Sequence, residues 1–229
     1  MTRLRILVEG QAEEMFVKRT LHPFLRECGV EVEPIILLTK ENPSGANFLG
    51  GVSNWKGILT NLLLLTGGSN GWVTTLIDYY GLPADCPGYR ETEAIADPEQ
   101  RVVAVQTAVQ QAIDRPRLIP FFALHEFEAW LFSDPQVVAD HFGQPDLAQQ
   151  MGQIVQDAGA PERINHGPDT HPKARLRTLW PYYRPLAHGP LLMGKIGISR
   201  IRAACPHFDK WLTQLENLPA TPVSPVDPG

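Results

Sequence analysis

Three short β-prone runs in this chain each stop at acid. Residues 4–8 (LRILV) end at Glu9, residues 72–77 (WVTTLI) end at Asp78, and residues 118–124 (LIPFFAL) run into His125, Glu126, Phe127 and Glu128. Helical patterns lie between them. Val17, Leu21, Phe24, Leu25 and Cys28 mark one face of a helix over 12–28, which Pro23 should kink or break near residue 22. A second strand is predicted over 32–38, helices over 56–65 and 98–114, and the start of another helix over 126–132. Strand alternating with helix predicts an α/β fold built on a largely parallel sheet. In such a sheet ligands bind beyond the carboxyl ends of the strands, which is where these acids stand.

The same reading divides the chain into an α/β core over 1–134, a helical and basic part of the same domain over 135–218, and a tail over 219–229. The tail holds four prolines and little to bury, which predicts disorder. A loop is expected over 39–54, where Pro43, Gly45, Gly50 and Gly51 punctuate the sequence, and "GGSN" at 67–70 closes the helix that follows.

Acids drawn from three separated strand ends can converge at one sheet edge. Hard oxygen ligands so arranged suit Mg²⁺ or Mn²⁺. A lone acid after a strand is more often a solvated loop residue or a helix cap; three together weaken that alternative. Glu13 precedes Val17 by four and Leu21 by eight, so it extends the apolar stripe toward the sheet edge. Glu14 precedes Lys18 by four on another side, as a surface pair. Glu13 is therefore a candidate and Glu14 is structural, though an acid in a first helical turn also complements the helix dipole.

Charge is unevenly spread. The chain carries a net charge of −5, yet residues 170–208 contain no Asp or Glu and hold 7 of the 20 Lys and Arg: Lys173, Arg175, Arg177, Arg184, Lys195, Arg200 and Arg202. An acidic centre beside a phosphate-binding surface accounts for this asymmetry, and so does a basic face that aids solubility. No apolar run approaches the roughly 18 residues of a membrane span. The N-terminal run stops at Glu9 too early for a signal-peptide layout. Cys28, Cys86 and Cys205 are scattered and unpaired as motifs, which points to a reducing cytoplasm.

Several familiar chemistries are excluded. "HEFEA" lacks the second histidine of a zinc protease, because Ala129 stands there. GxSxG, the P-loop pattern and GxGxxG are absent. Cys86 and Cys205 make poor nucleophile candidates, and His166, His171 and His207 read as surface, capping or phosphate-contacting residues.

"LVEGQAEE" resembles the opening of TOPRIM domains, especially those of the overcoming-lysogenization-defect (OLD) nucleases, and "LIDYYG" resembles their later acidic strand end. Taken together, "LVEGQAEEMF", "VTTLIDYYGLP", "HEFEAWLF" and "CPHFDKWLTQLE" resemble the bacterial family named domain of unknown function 4276, across nearly the whole chain to about residue 218. That resemblance implies a TOPRIM-like, Mg²⁺-dependent fold, often encoded beside an SMC-like or AAA-type ATPase in defence-associated gene pairs. Glu9 and Asp78 match the TOPRIM acids, Glu13 matches the additional acid of the OLD-type opening, and Tyr80 replaces the usual second Asp. Glu126 and Glu128 are the expected replacements for it.

The leading expectation is a metal-dependent nuclease. Glu9, Asp78, Glu126 and Glu128 would hold Mg²⁺ or Mn²⁺, Glu13 would complete the site, and Lys173, Arg175, Arg177, Lys195 and Arg200 would meet nucleic-acid phosphates. The alternatives are a non-cleaving partner of the ATPase and a phosphoesterase for a small molecule.

Overall fold

The computed structural model describes residues 1–37, 54–68, 71–164, 167 and 169–219. Residues 39–53 of the expected loop, residues 69–70 of "GGSN", His166 and the tail beyond Pro219 lie outside the described residues. Pro219 itself lies against the start of the sheet, its carbonyl accepting from Thr2 Oγ1 and Trp72 Nε1, both at 3.3 Å.

Strand β1 (Thr2–Val8) feeds a helix in three pieces: α1 (Gln11–Phe16), a π-helical turn (Val17–Leu21) and α2 (His22–Glu27). The break expected at Pro23 therefore takes the form of a widened turn. Proline has no N–H to give the preceding turn, and the π segment lets the helix run on past it. Next come β2 (Val30–Ile36), α3 (Trp55–Gly67), β3 (Trp72–Asp78) and α4 (Pro98–Ile113).

Between 118 and 124 the sequence predicts one strand, and the structure has two short ones, β4 (Leu118–Ile119) and β5 (Phe122–Ala123). Pro120 and Phe121 separate them. Threonines of β3 supply what the interrupted ladder lacks. Thr75 Oγ1 donates to Phe121 O at 2.5 Å and accepts from Phe121 N–H at 2.8 Å, while Thr74 Oγ1 donates to Ile119 O at 2.6 Å. Without those hydroxyls, buried backbone groups would have no partner.

Strand order is β2-β1-β3-β4, with β5 continuing beside β3, and every described pair is parallel. The α/β expectation holds. Alternation splits β1 between two cores: Leu4, Ile6 and Val8 enter one, and Leu7 enters the other. The strand is buried on both faces, as central strands of parallel sheets are.

Beyond Asp134 follow α5 (Pro135–Phe142), α6 (Pro145–Ala158), α7 (Pro172–Leu179), α8 (Pro185–Ile196), α9 (Ile198–Ala204) and α10 (Pro206–Glu216). Leu192, Met193, Ile201, Phe208, Trp211 and Leu215 share the buried cluster of Leu4, Ile6 and Val8. Residues 126–132, expected to open an α-helix, instead form a 3-10 turn, Phe127–Ser133. Its tighter winding follows from aromatic packing: Phe127 and Trp130 both sit against Phe16 of α1, with centroids 5.4 and 5.6 Å away. No helix among the described residues is long and apolar enough to cross a membrane.

One buried carboxylate lies away from the sheet edge. Glu162 is 2% exposed and caps α10, accepting the N–H of His207 at 2.9 Å and of Phe208 at 3.0 Å. Burial pushes its pKa from 4.5 up to about 7 against those hydrogen bonds, with Glu99 adding a little repulsion.

Two tests follow from this packing. Thr75→Val removes both hydroxyl bonds to Phe121 and should cost about 1–3 kcal/mol in urea unfolding; an unchanged midpoint would mean that Phe121 finds other partners. Glu162 is the second case. Its folded pKa is raised, so its proton is held more tightly in the fold, and the stabilisation is complete below about pH 4.5 and lost as pH rises through about 7. The Tm of the native protein minus that of Glu162→Gln should therefore fall between pH 4.5 and 8. Parallel Tm profiles would contradict the shift.

Candidate metal centre

Parallel register puts the carboxyl ends of β1, β3 and β5 at one edge, since Val8 pairs with Leu76 and Asp78 with Ala123. The residues that follow those ends are Glu9, Asp78 itself, and the stretch from Leu124 to Glu128. One oxygen from each of Asp78, Glu126 and Glu128 lies within 4.8 Å of the other two. Glu126 and Glu128 are 8% and 4% exposed, and Asp78 is half-buried.

Local backbone geometry aims these side chains. His125 has φ +67°, and the Glu126 N–H donates back to Leu124 O at 3.1 Å, so the chain reverses through a γ-turn centred on His125. A non-glycine residue there is strained, and such strain is held where surrounding structure demands it. Asp78 Oδ1 then accepts the Phe127 N–H at 2.8 Å, tying the 3-10 turn to the end of β3 between the two glutamates. Burial of Phe127 and Trp130 fixes the turn from below, and Glu128 has to point at the sheet edge.

Glu126 is held by three contacts from α7. His171 Nδ1 lies 2.8 Å from its Oε2, the Lys173 N–H donates to the same oxygen at 3.0 Å, and Lys173 Nζ lies 3.5 Å from Oε1. The Lys173 ammonium is also 3.5 Å from Glu128 Oε2. It is thus a cation tethered among the acids, although its position in the basic segment suggests a phosphate contact. Burial works against the ammonium, but Glu128, Glu126 and Asp78 together hold its pKa above the ordinary lysine value.

Glu9 and Glu13 flank this cluster. Glu9 Oε2 lies 3.4 Å from the Asp78 N–H, and a Cβ built on Gly81 would come within 2.9 Å of that oxygen. A larger residue at position 81 would push the Glu9 carboxylate aside. Glu13 Oε2 accepts the Gly10 N–H at 3.0 Å, closing the first turn of α1. Glu14 pairs with Lys18 at 2.6 Å, the surface role read for it.

Five carboxylates facing one lysine are electrostatically costly. Burial, followed by repulsion from Glu9, Glu13 and Glu128, holds Asp78 well above the ordinary aspartate range. Burial pushes Glu128 up to about 7 despite Lys173, with Glu126 and Glu13 adding to the rise, and burial raises Glu13 with Glu9 adding to it. A doubly charged cation relieves this strain, and the donor set of oxygens alone matches Mg²⁺ or Mn²⁺ rather than a softer metal.

The remaining cations of the basic segment are dispersed. Arg175 Nε binds the Thr170 carbonyl at 2.7 Å, Lys195 Nζ lies 2.9 Å from His141 Nδ1, Arg200 pairs with Asp134 at 3.1 Å, and Arg177 is exposed. Two further residues stand beside the acids: His171, read from the sequence as a surface, capping or phosphate-contacting residue, and Tyr183, which gained no role from it. His171 orients Glu126; a histidine directly before the Pro172 that opens α7 was the available signal. Tyr183 is 4% exposed, and its hydroxyl has no hydrogen-bond partner among the described residues. Burial, and then Glu128 and Glu126, hold its pKa well above the ordinary tyrosine value. Nothing in the local sequence marks Tyr183.

Comparison with known proteins agrees with the motif reading. The family model described as domain of unknown function (DUF4276) matches residues 8–216. No curated protein matches the chain. Among solved structures, the C-terminal region of the Xanthomonas campestris pv. campestris OLD protein, phased with iodine, aligns at 17% identity and a TM-score of 0.33. It covers 93% of this chain and 97% of that one. The mercury-phased structure of the same region aligns at 16% identity and a TM-score of 0.35, with the same coverage. The likeness is distant, and the centre rests on this chain's own side chains.

A divalent cation at a hundredfold excess over its dissociation constant should raise the Tm by about 5–10 °C. In Asp78→Asn and Glu128→Gln, Mn²⁺ should produce little or no shift. Equal shifts in all three proteins would place the cation elsewhere.

Proposed function

The chain belongs to the DUF4276 family, and from that premise we propose that it is a metal-dependent phosphodiesterase acting on nucleic acid. The observation that carries the reading is the cluster of Asp78, Glu126 and Glu128, with one oxygen of each within 4.8 Å of the others and Lys173 held at its side. The motif resemblance of "LVEGQAEE" and "LIDYYG" to TOPRIM nucleases supports the same chemistry.

Each residue then has a task. Asp78, Glu126 and Glu128 hold Mg²⁺ or Mn²⁺, with Glu9 and Glu13 adjoining. When bound, such a cation lowers the pKa of a coordinated water and withdraws charge from a phosphoryl oxygen. His171 and the Lys173 N–H keep Glu126 in one orientation, and Asp78 sets the 3-10 turn through Phe127. The Lys173 ammonium places a fixed positive charge where a phosphate would approach. Arg175, Arg177, Lys195 and Arg200 extend positive charge along the helical part, giving binding that weakens steeply with salt. An SMC-like or AAA-type ATPase is the partner that the family resemblance suggests, and a cytoplasmic setting fits the three unpaired cysteines.

A second reading has its own observations. Tyr80 stands where TOPRIM domains carry their second acid, and two of the three clustered acids also have structural work. Asp78 caps the 3-10 turn, and Glu126 caps α7. A non-cleaving subunit of an ATPase complex would keep such a site for binding alone.

Purified protein should cleave single-stranded DNA, duplex DNA or RNA in Mg²⁺ or Mn²⁺, with activity falling at least a hundredfold in Asp78→Asn and Glu9→Gln and stopping with a chelator. Cleavage that survives both substitutions would belong to a contaminant or another site. No cleavage with or without the ATPase would favour the binding subunit, and turnover of a small phosphodiester without nucleic-acid binding would make it a small-molecule phosphoesterase.

A further inference from the structure

On the far end of α7 from the acids, the chain builds an aromatic surface that the cleavage site does not use. Phe142 of α5 and Trp180 are stacked, with centroids 3.7 Å apart and planes 20° from parallel. Tyr182 meets Trp180 edge-on at 5.8 Å and is 74% exposed. His188 of α8 closes the group, edge-on to Phe142 at 5.3 Å and to Trp180 at 5.0 Å. Packing therefore holds the inner rings rigidly, while the outermost ring faces water. A tyrosine left this exposed gains nothing from the core, so its burial is not what the fold uses it for.

The charges around these rings are mainly positive. Arg177 lies one helical turn before Trp180, Arg184 follows Tyr182 by two residues, and Lys195 of α8 reaches His141 at 2.9 Å. Residues 170–208 supply no acid. Asp140, the acid next to this group on α5, is engaged by Gln136 Nε2 at 2.7 Å. Burial lowers the pKa of His141, with Lys195 adding to it, and that of His188, with His141 and Arg184 adding to it.

Rigid rings bordered by guanidinium and ammonium groups match two features of an unpaired strand. Its bases offer open π faces and its backbone offers phosphates. A duplex hides the faces of its bases inside the stack and presents backbone and groove edges instead. Position supports the match. Helix α7 begins at Pro172, beside the Lys173 and His171 contacts to Glu126, and ends just before Trp180; its eight residues span about 12 Å. A strand laid on the rings would lead toward the acids.

We propose that Tyr182, set edge-on against Trp180 of the stacked Trp180–Phe142 pair and flanked by Arg177, Arg184 and Lys195, is a platform for the bases of single-stranded nucleic acid, which feeds the strand toward the acidic centre. The proposal rests on the nucleic-acid reading above and narrows it to an unpaired strand.

Binding measured without cleavage separates the two. The full chain, in EDTA, is titrated against a fluorescently labelled oligodeoxythymidylate 20-mer and a labelled 20-base-pair duplex, reading anisotropy. The single strand should bind more tightly than the duplex. Tyr182→Ala should weaken single-strand binding about tenfold, Tyr182→Phe should restore it, and duplex binding should not move. At 74% exposure, Tyr182 can be truncated without opening the core. Equal binding of single strand by Tyr182→Ala and the native protein would overturn the platform, as would equal losses on both substrates. No single-strand binding by the native protein would also overturn it, even if metal-dependent cleavage of duplex upheld the nuclease. Loss of ATPase co-purification in Tyr182→Ala, with unchanged DNA binding, would make the surface a protein-docking site instead.

Discussion

Parallel pairing of β1, β3 and β5 is the constraint on which the rest of the structure depends. In a parallel sheet all strands end at the same edge, so whatever residue follows each strand is delivered to one place. Here Glu9 follows β1, Asp78 ends β3, and Glu126 comes three residues after β5. The sheet thus concentrates negative charge by geometry alone, and the surrounding elements have to make that concentration tolerable.

They do so with hydrogen bonds and one ammonium. Asp78 spends an oxygen on the Phe127 N–H, Glu9 lies against the Asp78 N–H, and Glu13 turns back to Gly10. Glu126 draws on the start of α7 for three contacts, and Lys173 lies between Glu126 and Glu128. Even so, Asp78 and Glu128 remain harder to ionise than ordinary carboxyls. Glu162, buried beneath α10 against two backbone N–H groups, is raised to about 7 as well, there mainly by burial.

The helical part after Asp134 contributes to both cores of the argument, stability and chemistry. Trp211 donates its indole N–H to Thr74 at 2.9 Å, and Phe208 packs on Trp130, so α10 braces the interrupted edge of the sheet. Helix α7 carries His171 and Lys173 to the acids at one end and Trp180 to the aromatic surface at the other. One short helix links the two regions of interest.

Much of the fold was legible because its signals are local. β-branched runs ending in acid, helical spacing of Val17, Leu21 and Leu25, and prolines at helix starts all follow from neighbours in sequence. They determined the α/β class, the strand ends at Val8 and Asp78, and the candidacy of Glu9, Asp78, Glu126 and Glu128. The splitting of β4 from β5 was less legible, since Pro120 is tolerated only because hydroxyls from another strand reach across. The 3-10 turn at Phe127–Ser133 likewise depends on Phe16, more than a hundred residues away in sequence. Lys173 is the plainest case. Its sequence neighbours are basic and suggest a phosphate contact, whereas its partners Glu126 and Glu128 are brought to it by the packing of α7 on the 3-10 turn. Sequence alone determined which residues could carry charge and the alternation of strands with helices in the first half of the chain. Tertiary structure decided which of those charges meet, because Coulomb interaction and burial depend on distance in space, and distance along the chain does not set it.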